Sequence, residues 1–240
     1  MSDFKQILED VRNKPDIIKV TNKTIKKIVE REIKSLGNEA DLNHIDVSKV
    51  TDMSALFKNS SFNGNISEWD VSNVTDMDSL FKGSKFNGDI SEWDVLCVTN
   101  MRHMFWETKF NGDISKWDVS SVENMVGLFF DSKFNGDISK WDVSSVENMC
   151  DMFHKTPFNQ DISEWDVSSV KKMNCMFSEC KFNKDISEWD ISNVKNMWAM
   201  FMKSNFNKDL SKWKIGHVID ISDMFSECNI KPEFKPNYGF

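Results

Sequence analysis

Proline and glycine are scarce, at 4 and 9 of 240 residues. That excludes a collagen-like chain and Pro-rich linkers. No stretch approaches the roughly 18 consecutive apolar residues of a membrane-spanning helix, so no membrane insertion is expected. Nor is there a basic surplus: 30 Lys and Arg face 38 Asp and Glu, a net charge of −8. This is the wrong sign for a surface that tracks a nucleic-acid backbone, and no nucleic-acid partner is expected. The five cysteines (97, 150, 175, 180, 228) are an odd number without a CxxC pair, which fits free thiols in a reducing compartment. The four histidines (44, 103, 154, 217) lie far apart along the chain. No metal and no cofactor is expected from such spacing. The opening residues Met-Ser-Asp-Phe-Lys-Gln show no basic segment followed by an apolar one. A cytoplasmic location is therefore the expectation.

What the chain does have is 9 Trp, 14 Met and 19 Phe. Trp stands at 69, 93, 117, 141, 165, 189 and 213, always 24 residues apart. Alignment on it gives seven full copies of a unit such as FNGDISEWDVLCVTNMRHMFWETK (86–109), after a partial copy with Ile45 in the Trp position. A fixed period of this length marks a solenoid, in which each coil buries its apolar face only against its neighbours. The interior columns are those of Phe62, Ile66, Trp69, Val71, Val74, Met77, Leu80 and Phe81. Twelve of the 14 Met fall in two of these columns, which reads as core filling by a flexible thioether. The Trp column reads as packing too, because a stacking platform would not accept Ile45 at its end.

Two local patterns recur in each coil. Ile66–Val71 is β-branched and aromatic and predicts a short parallel strand. Val74, Met77, Leu80 and Phe81, at i, i+3, i+6 and i+7, predict a short helix capped by Thr75 or Asp76. The expected fold is therefore an α/β repeat: a leucine-rich-repeat-like solenoid with one strand and one helix per coil. The recurrent Asn63, Asp89 and Ser67 columns read as side chains that satisfy backbone groups at the bends. A calcium-binding β-roll would also repeat Asp and Gly, but its nine-residue Gly-Gly-rich period is absent.

The ends break the period. Residues 1–40 predict a helical cap. Phe4, Ile7, Leu8 and Val11 form one apolar stripe, begun at Ser2 and stopped by Pro15. Ile25, Ile28, Val29, Ile33 and Leu36 form a second, begun at Thr21 or Asn22 and closed by Gly37. Residues 41–213 are the solenoid, and 214–240 read as the last coil and a second cap. With both ends covered, an elongated monomer is expected.

Function is sought where the copies disagree. The column at 78 reads Asp78, Arg102, Val126, Cys150, Asn174, Trp198 and Ser222. The column at 82 reads Lys82, Trp106, Phe130, His154, Ser178, Met202 and Ser226. Solvated positions drift among Lys, Glu, Ser and Asn, whereas these carry aromatics and Met. Arg102, His103, Trp106, Phe130, His154, Trp198 and Met202 are thus the candidate partner-binding residues, on a face opposite Met77 and Phe81. Phe130 is expected to lie free enough that its removal leaves stability nearly unchanged. An enzyme is not expected, because residues repeated in every coil make poor candidates for a unique catalytic site.

The unit F-N-x-D-I-S-x-W-D-V-S-x-V-x-N-M-x-x-M-F, over about 41–229, resembles the repeats of the BspA-like leucine-rich-repeat family. That branch is also described as a mycoplasma-type lipoprotein repeat of unknown function. The resemblance implies a non-enzymatic adhesion or protein-interaction role, often at a cell surface, with no catalytic residues to carry over. A protein partner is the first expectation, and a carbohydrate held on exposed aromatics the alternative.

Overall fold

The computed structural model describes residues 16–236. The helix expected over Phe4–Val11 lies outside them. The repeat coils stack as a solenoid around one continuous apolar core. Every interior column read from the sequence is buried: Phe62, Ile66, Trp69, Val71, Val74, Met77, Leu80 and Phe81, and their equivalents in the coils that follow, except that Val218, Ile221 and Phe225 of the last coil are partly covered. Rings of the Phe81 column stack from Phe57 to Phe225 at 5.5–5.8 Å between centroids. Each from Phe57 to Phe201 also lies close to the Phe of the next column, as in Phe129–Phe134 at 3.9 Å. The indoles are core as expected, with one refinement. Trp93 Nε1 donates to Ile66 O of the preceding coil at 3.1 Å, and Trp141 Nε1 to Ile114 O at 3.0 Å. Trp thus supplies both bulk and a donor for a buried carbonyl.

Within the coils the local structure differs from the expectation of one strand and one helix each. Ile66–Val71 is not a strand. Trp69 N–H closes a turn on Ile66 O at 3.2 Å, and Val74 N–H closes another on Val71 O at 2.8 Å. Nor is the segment after Val74 a helix. Met77, Ser79, Phe81 and Gly83 donate their N–H groups to Asn100, Arg102, Met104 and Trp106 of the next coil at 2.7–3.0 Å. Between them Leu80, Lys82 and Ser84 bond to carbonyls three residues back. The parallel pairing therefore sits in the segment read as helical, with bridges running down the column from Asp52 to Asp220.

The reason is a pair of left-handed residues, four positions apart, in each coil. Along the columns of Ser79 and Gly83 every residue from Ala55 to Glu227 has φ between 49° and 66°, fourteen of them not glycine. Such a residue ends a helical turn and sends the next N–H toward the neighbouring coil. Asp76 makes the bond of a helix N-cap, accepting from Asp78 N–H at 2.8 Å, yet no helix follows because Ser79 turns left-handed. Apolar side chains three and four apart still reach the core, so the pattern imitates a helix. A left-handed backbone costs an L-residue about 1–2 kcal/mol, and the ladder bonds offset it. Glu107→Gly, at an exposed left-handed site, is expected to raise stability by about 0.5–1 kcal/mol, measured by urea unfolding.

The polar columns do what their recurrence predicts. Asn87 N–H donates to Asn63 Oδ1 at 2.8 Å, and the same bond repeats to Asn207 N–H and then Lys231 N–H. Asp89 accepts from Ser91 N–H, and Asp70 from both the N–H and the hydroxyl of Ser72.

The first coil is covered by β1 (Ile18–Lys19), α1 (Ile25–Leu36) and the segment 37–41. Strand β1 pairs in parallel with β2 (Ile45–Asp46). Helix α1 begins after Thr24 rather than Thr21 or Asn22 and ends at Gly37, φ 96°. Ile25 and Val29 are buried, but Leu36, read as part of the stripe, is exposed. Asn22 instead takes the place of a missing coil. Its Oδ1 accepts Thr51 N–H at 2.9 Å, the bond that Thr75 N–H makes to Thr51 O one coil on. Asn63 and Asn65 donate their N–H groups to Asn38 O and Ala40 O, which brings that backbone directly over Gly64. At the other end, Ile230 occupies the Phe column, followed by a short 3-10 turn, Pro232–Phe234. Among the described residues no helix is long and apolar enough to cross a membrane.

Candidate functional site

The variable columns line the outer side of the inter-coil ladder, since residues 78, 79, 82 and 83 belong to the segment that makes it. Four of the seven residues picked from the sequence, His103, Trp106, Phe130 and His154, meet there as a stack rather than as free side chains, whereas Arg102, Trp198 and Met202 stand outside it. Lys82 Nζ lies 4.2 Å above the Trp106 ring. Trp106 stacks on Phe130 at 3.7 Å and 7°, and Phe130 lies 4.6 Å from the His154 ring. His103 meets Trp106 edge-on at 4.6 Å. Trp106, Phe130, His154, His103 and Met202 are each partly covered, and Phe130 has a ring on either side. The expectation that Phe130 is free is therefore corrected: its loss removes two ring contacts and costs stability. Arg102 and Trp198 are the exposed members, Trp198 at 41 %. Arg102 approaches Asp78 of the coil below at 3.7 Å, an exposed pair of small energetic weight.

Glycine at 127 makes this packing possible. A Cβ there would lie 2.7 Å from His103 Cδ2 and 2.8 Å from the Trp106 ring. The column of Ser79 is also more enclosed than its sequence variety suggests. Cys175 and Ala199 are buried within it, so it is not a solvated face.

The histidines looked scattered, yet the coiling brings one into a mixed cluster. Asp151, His154 and Cys175 each place a ligand-type atom within 4.8 Å of the others. His154 Nδ1 is 3.1 Å from Asp151 Oδ1. Its Nε2 is buried without a hydrogen-bond partner, with Glu179 Oε1 at 3.7 Å. Asp151, Cys175 and Glu179 were missed by sequence reading. Alignment in rows of 24 puts 151 and 175 in the column of His103 and 179 beside the column of His154, but it does not by itself show that these side chains converge.

Burial and charge set the protonation around this strip. Burial, reinforced by Arg102 and Lys82, pushes His103 down to about 4. Burial and then Asp151 push the Cys175 thiol up to about 12, and burial pushes Cys150 up to about 11. All five cysteines are free. Cys180 fills a small slot beside Thr156 Oγ1 at 3.3 Å, as Cys228 does beside Ser204 Oγ at 3.4 Å. Elsewhere the Ser91 and Ser120 donors hold Asp89 and Asp118 below the ordinary carboxylate range, with Asp137, Asp161 and Asp190 alike.

His103 and these aspartates bind protons less readily in the folded protein than in the unfolded chain. Their contribution to stability is fully present above about pH 6.5, the ordinary His value. It should fall slightly between about pH 6.5 and 4 as His103 resists protonation, then steeply below about pH 4 as the carboxylates lose their serine bonds. Melting temperature against pH reads both stages, and His103→Gln should flatten the upper one.

A capped solenoid of 24-residue coils, with aromatic columns inside and a variable strip along one ladder, is the class that this fold defines. The chain belongs to the family described as "Mycoplasma protein of unknown function, DUF285", whose model matches residues 24–136 and again 124–234. Comparison with curated proteins finds no match, and comparison with solved structures finds none.

Proposed function

We propose that this protein is a non-catalytic binding solenoid that engages a protein partner along the strip of Arg102, His103, Trp106, Phe130, His154, Trp198 and Met202. The observation that carries the reading is the exposure of Trp198 on the strip where coils otherwise near-identical diverge. Trp and Arg are the residue types that most often anchor protein interfaces. The resemblance to BspA-like repeats, an adhesion and interaction family, supports the same direction. A carbohydrate platform fits less well. Sugars stack on free ring faces, and those of Trp106 and Phe130 are already taken by Lys82, His154 and each other.

The test pairs the wild-type protein with Trp198→Ser, the residue that the last coil carries as Ser222. Both are immobilised, challenged with proteins from the source cells, and run in parallel on a glycan array. A protein retained by wild type and lost by Trp198→Ser supports the reading. Glycan binding, or identical capture by both, overturns it.

A further inference from the structure

We propose that Asp151, His154 and Cys175 form a binding site for a zinc-class divalent transition metal at the junction between two coils. The three donors are a carboxylate oxygen, an imidazole nitrogen and a thiol sulfur, all within 4.8 Å of one another. Hard cations such as calcium and magnesium take oxygen donors only, whereas this mixed set suits Zn²⁺ or Co²⁺. Asp151 and Cys175 sit in one column with nearly the same backbone, φ 58° and 55°. The repeat itself therefore projects them in parallel, one coil apart. His154 comes from three residues beyond Asp151 and is held from below by the Phe130 ring at 4.6 Å.

The imidazole gives the strongest indication. Nδ1 faces Asp151 at 3.1 Å. Nε2 is buried with no hydrogen-bond partner, and Glu179 Oε1 stands 3.7 Å away. With Nδ1 on a metal the proton must reside on Nε2, where Glu179 accepts it after a shift of less than about 1 Å. That is the carboxylate–histidine–metal arrangement in which a second carboxylate fixes the ring. Lys155 Nζ, 3.8 Å from Glu179, offsets its charge. Binding deprotonates Cys175 and releases one proton to solvent, so Asp151 and the thiolate together neutralise the dication. Water takes the fourth position. The set occurs at one junction only: one coil earlier the equivalent residues are Gly127, Phe130 and Asp151, and one coil later Cys175, Ser178 and Ala199. The proposal stands apart from any partner, because the metal is read directly.

Cobalt(II) titration of the purified protein tests it. Wild type should bind one equivalent and develop a near-ultraviolet sulfur-to-cobalt charge-transfer band, which zinc then bleaches. At about 100-fold excess over Kd, zinc should raise the melting temperature by roughly 5–10 °C. Cys175→Ala should lose the band, and His154→Phe should weaken binding by on the order of tenfold or more. Both variants use residues that the array already carries in those columns, Ala199 and Phe130, so both keep the fold. Cys150→Ala should leave the band in place. Absence of the band in wild type, or a band that survives in Cys175→Ala, overturns the proposal.

Discussion

Trp141→Ala should lower stability by about 3–5 kcal/mol, the range for removing a fully packed large aromatic. Trp141 is buried in the middle of the array, 6.4 Å from Phe129, and its Nε1 closes a 3.0 Å bond to the carbonyl of Ile114. The substitution leaves a cavity and removes one of two donors to the Ile114 carbonyl, which keeps the Trp117 N–H at 3.2 Å, so the cavity is the main penalty. Because each coil touches only its neighbours, the damage also weakens the coupling between the two halves. A thermal melt should show a sharp fall in midpoint and a broadened or split transition. A shift no larger than that of Phe130→Ala, which loses only half-buried stacking, would place the Trp column outside the core.

Gly64→Gln should destabilise by about 1–3 kcal/mol or more, the overpacking range, whereas Gly136→Gln should be close to neutral. The two glycines occupy one column, and the chain itself places Gln160, Lys184 and Lys208 there in later coils. Space for a side chain is thus available in principle. At Gly64, however, a Cβ would lie 2.0 Å from Ala40 O and 2.8 Å from Ala40 N, both backbone atoms of the segment that follows α1. At Gly136 the near atoms are the edge of the Phe134 ring, and the neighbouring backbone oxygen is 3.7 Å away. Gln160 and Lys184 lie beside the equivalent Phe158 and Phe182 without disturbing their burial. Urea midpoints of the two variants read the difference directly. Equal effects would mean that the cap segment does not press on the first coil.

These two cases mark where sequence reading succeeds and where it stops. The Trp, Phe and Met columns were legible because the core of a solenoid is a translational repeat, and one exact period identifies every buried position at once. The Asn63 column was legible for the same reason, although its coil-to-coil bonding was not. Secondary structure was misread because Val74, Met77, Leu80 and Phe81 have helical spacing, while the left-handed residues beneath that spacing leave little trace. The columns concerned also hold Ser, His, Asp, Cys, Ala, Lys and Glu, and only Gly83, Gly127 and Asn59 hint at them. The divergence of the columns at 78 and 82 was legible, but not the stacking within them, because ring-on-ring contact between 106 and 130 depends on Gly127 leaving room. Asp151 and Cys175 went unnoticed because each looks like ordinary drift until His154 is set beside them. Gly64 is indistinguishable from Gly136 in sequence, since the difference lies wholly in the course of residues 37–41.

The ladder bonds between coils also fix how the molecule meets force. They point along the stack, and the described chain enters at one end of the stack and leaves at the other. Tension between the ends therefore loads the junctions in series, each held by the same few backbone bonds, and none shares its load with the next. Such a chain yields by unzipping from a cap, one coil at a time, each release freeing 24 residues or about 80 Å of extended backbone. Asn22 and the turn at Pro232–Phe234 then act as the clasps that decide at which end the unravelling starts.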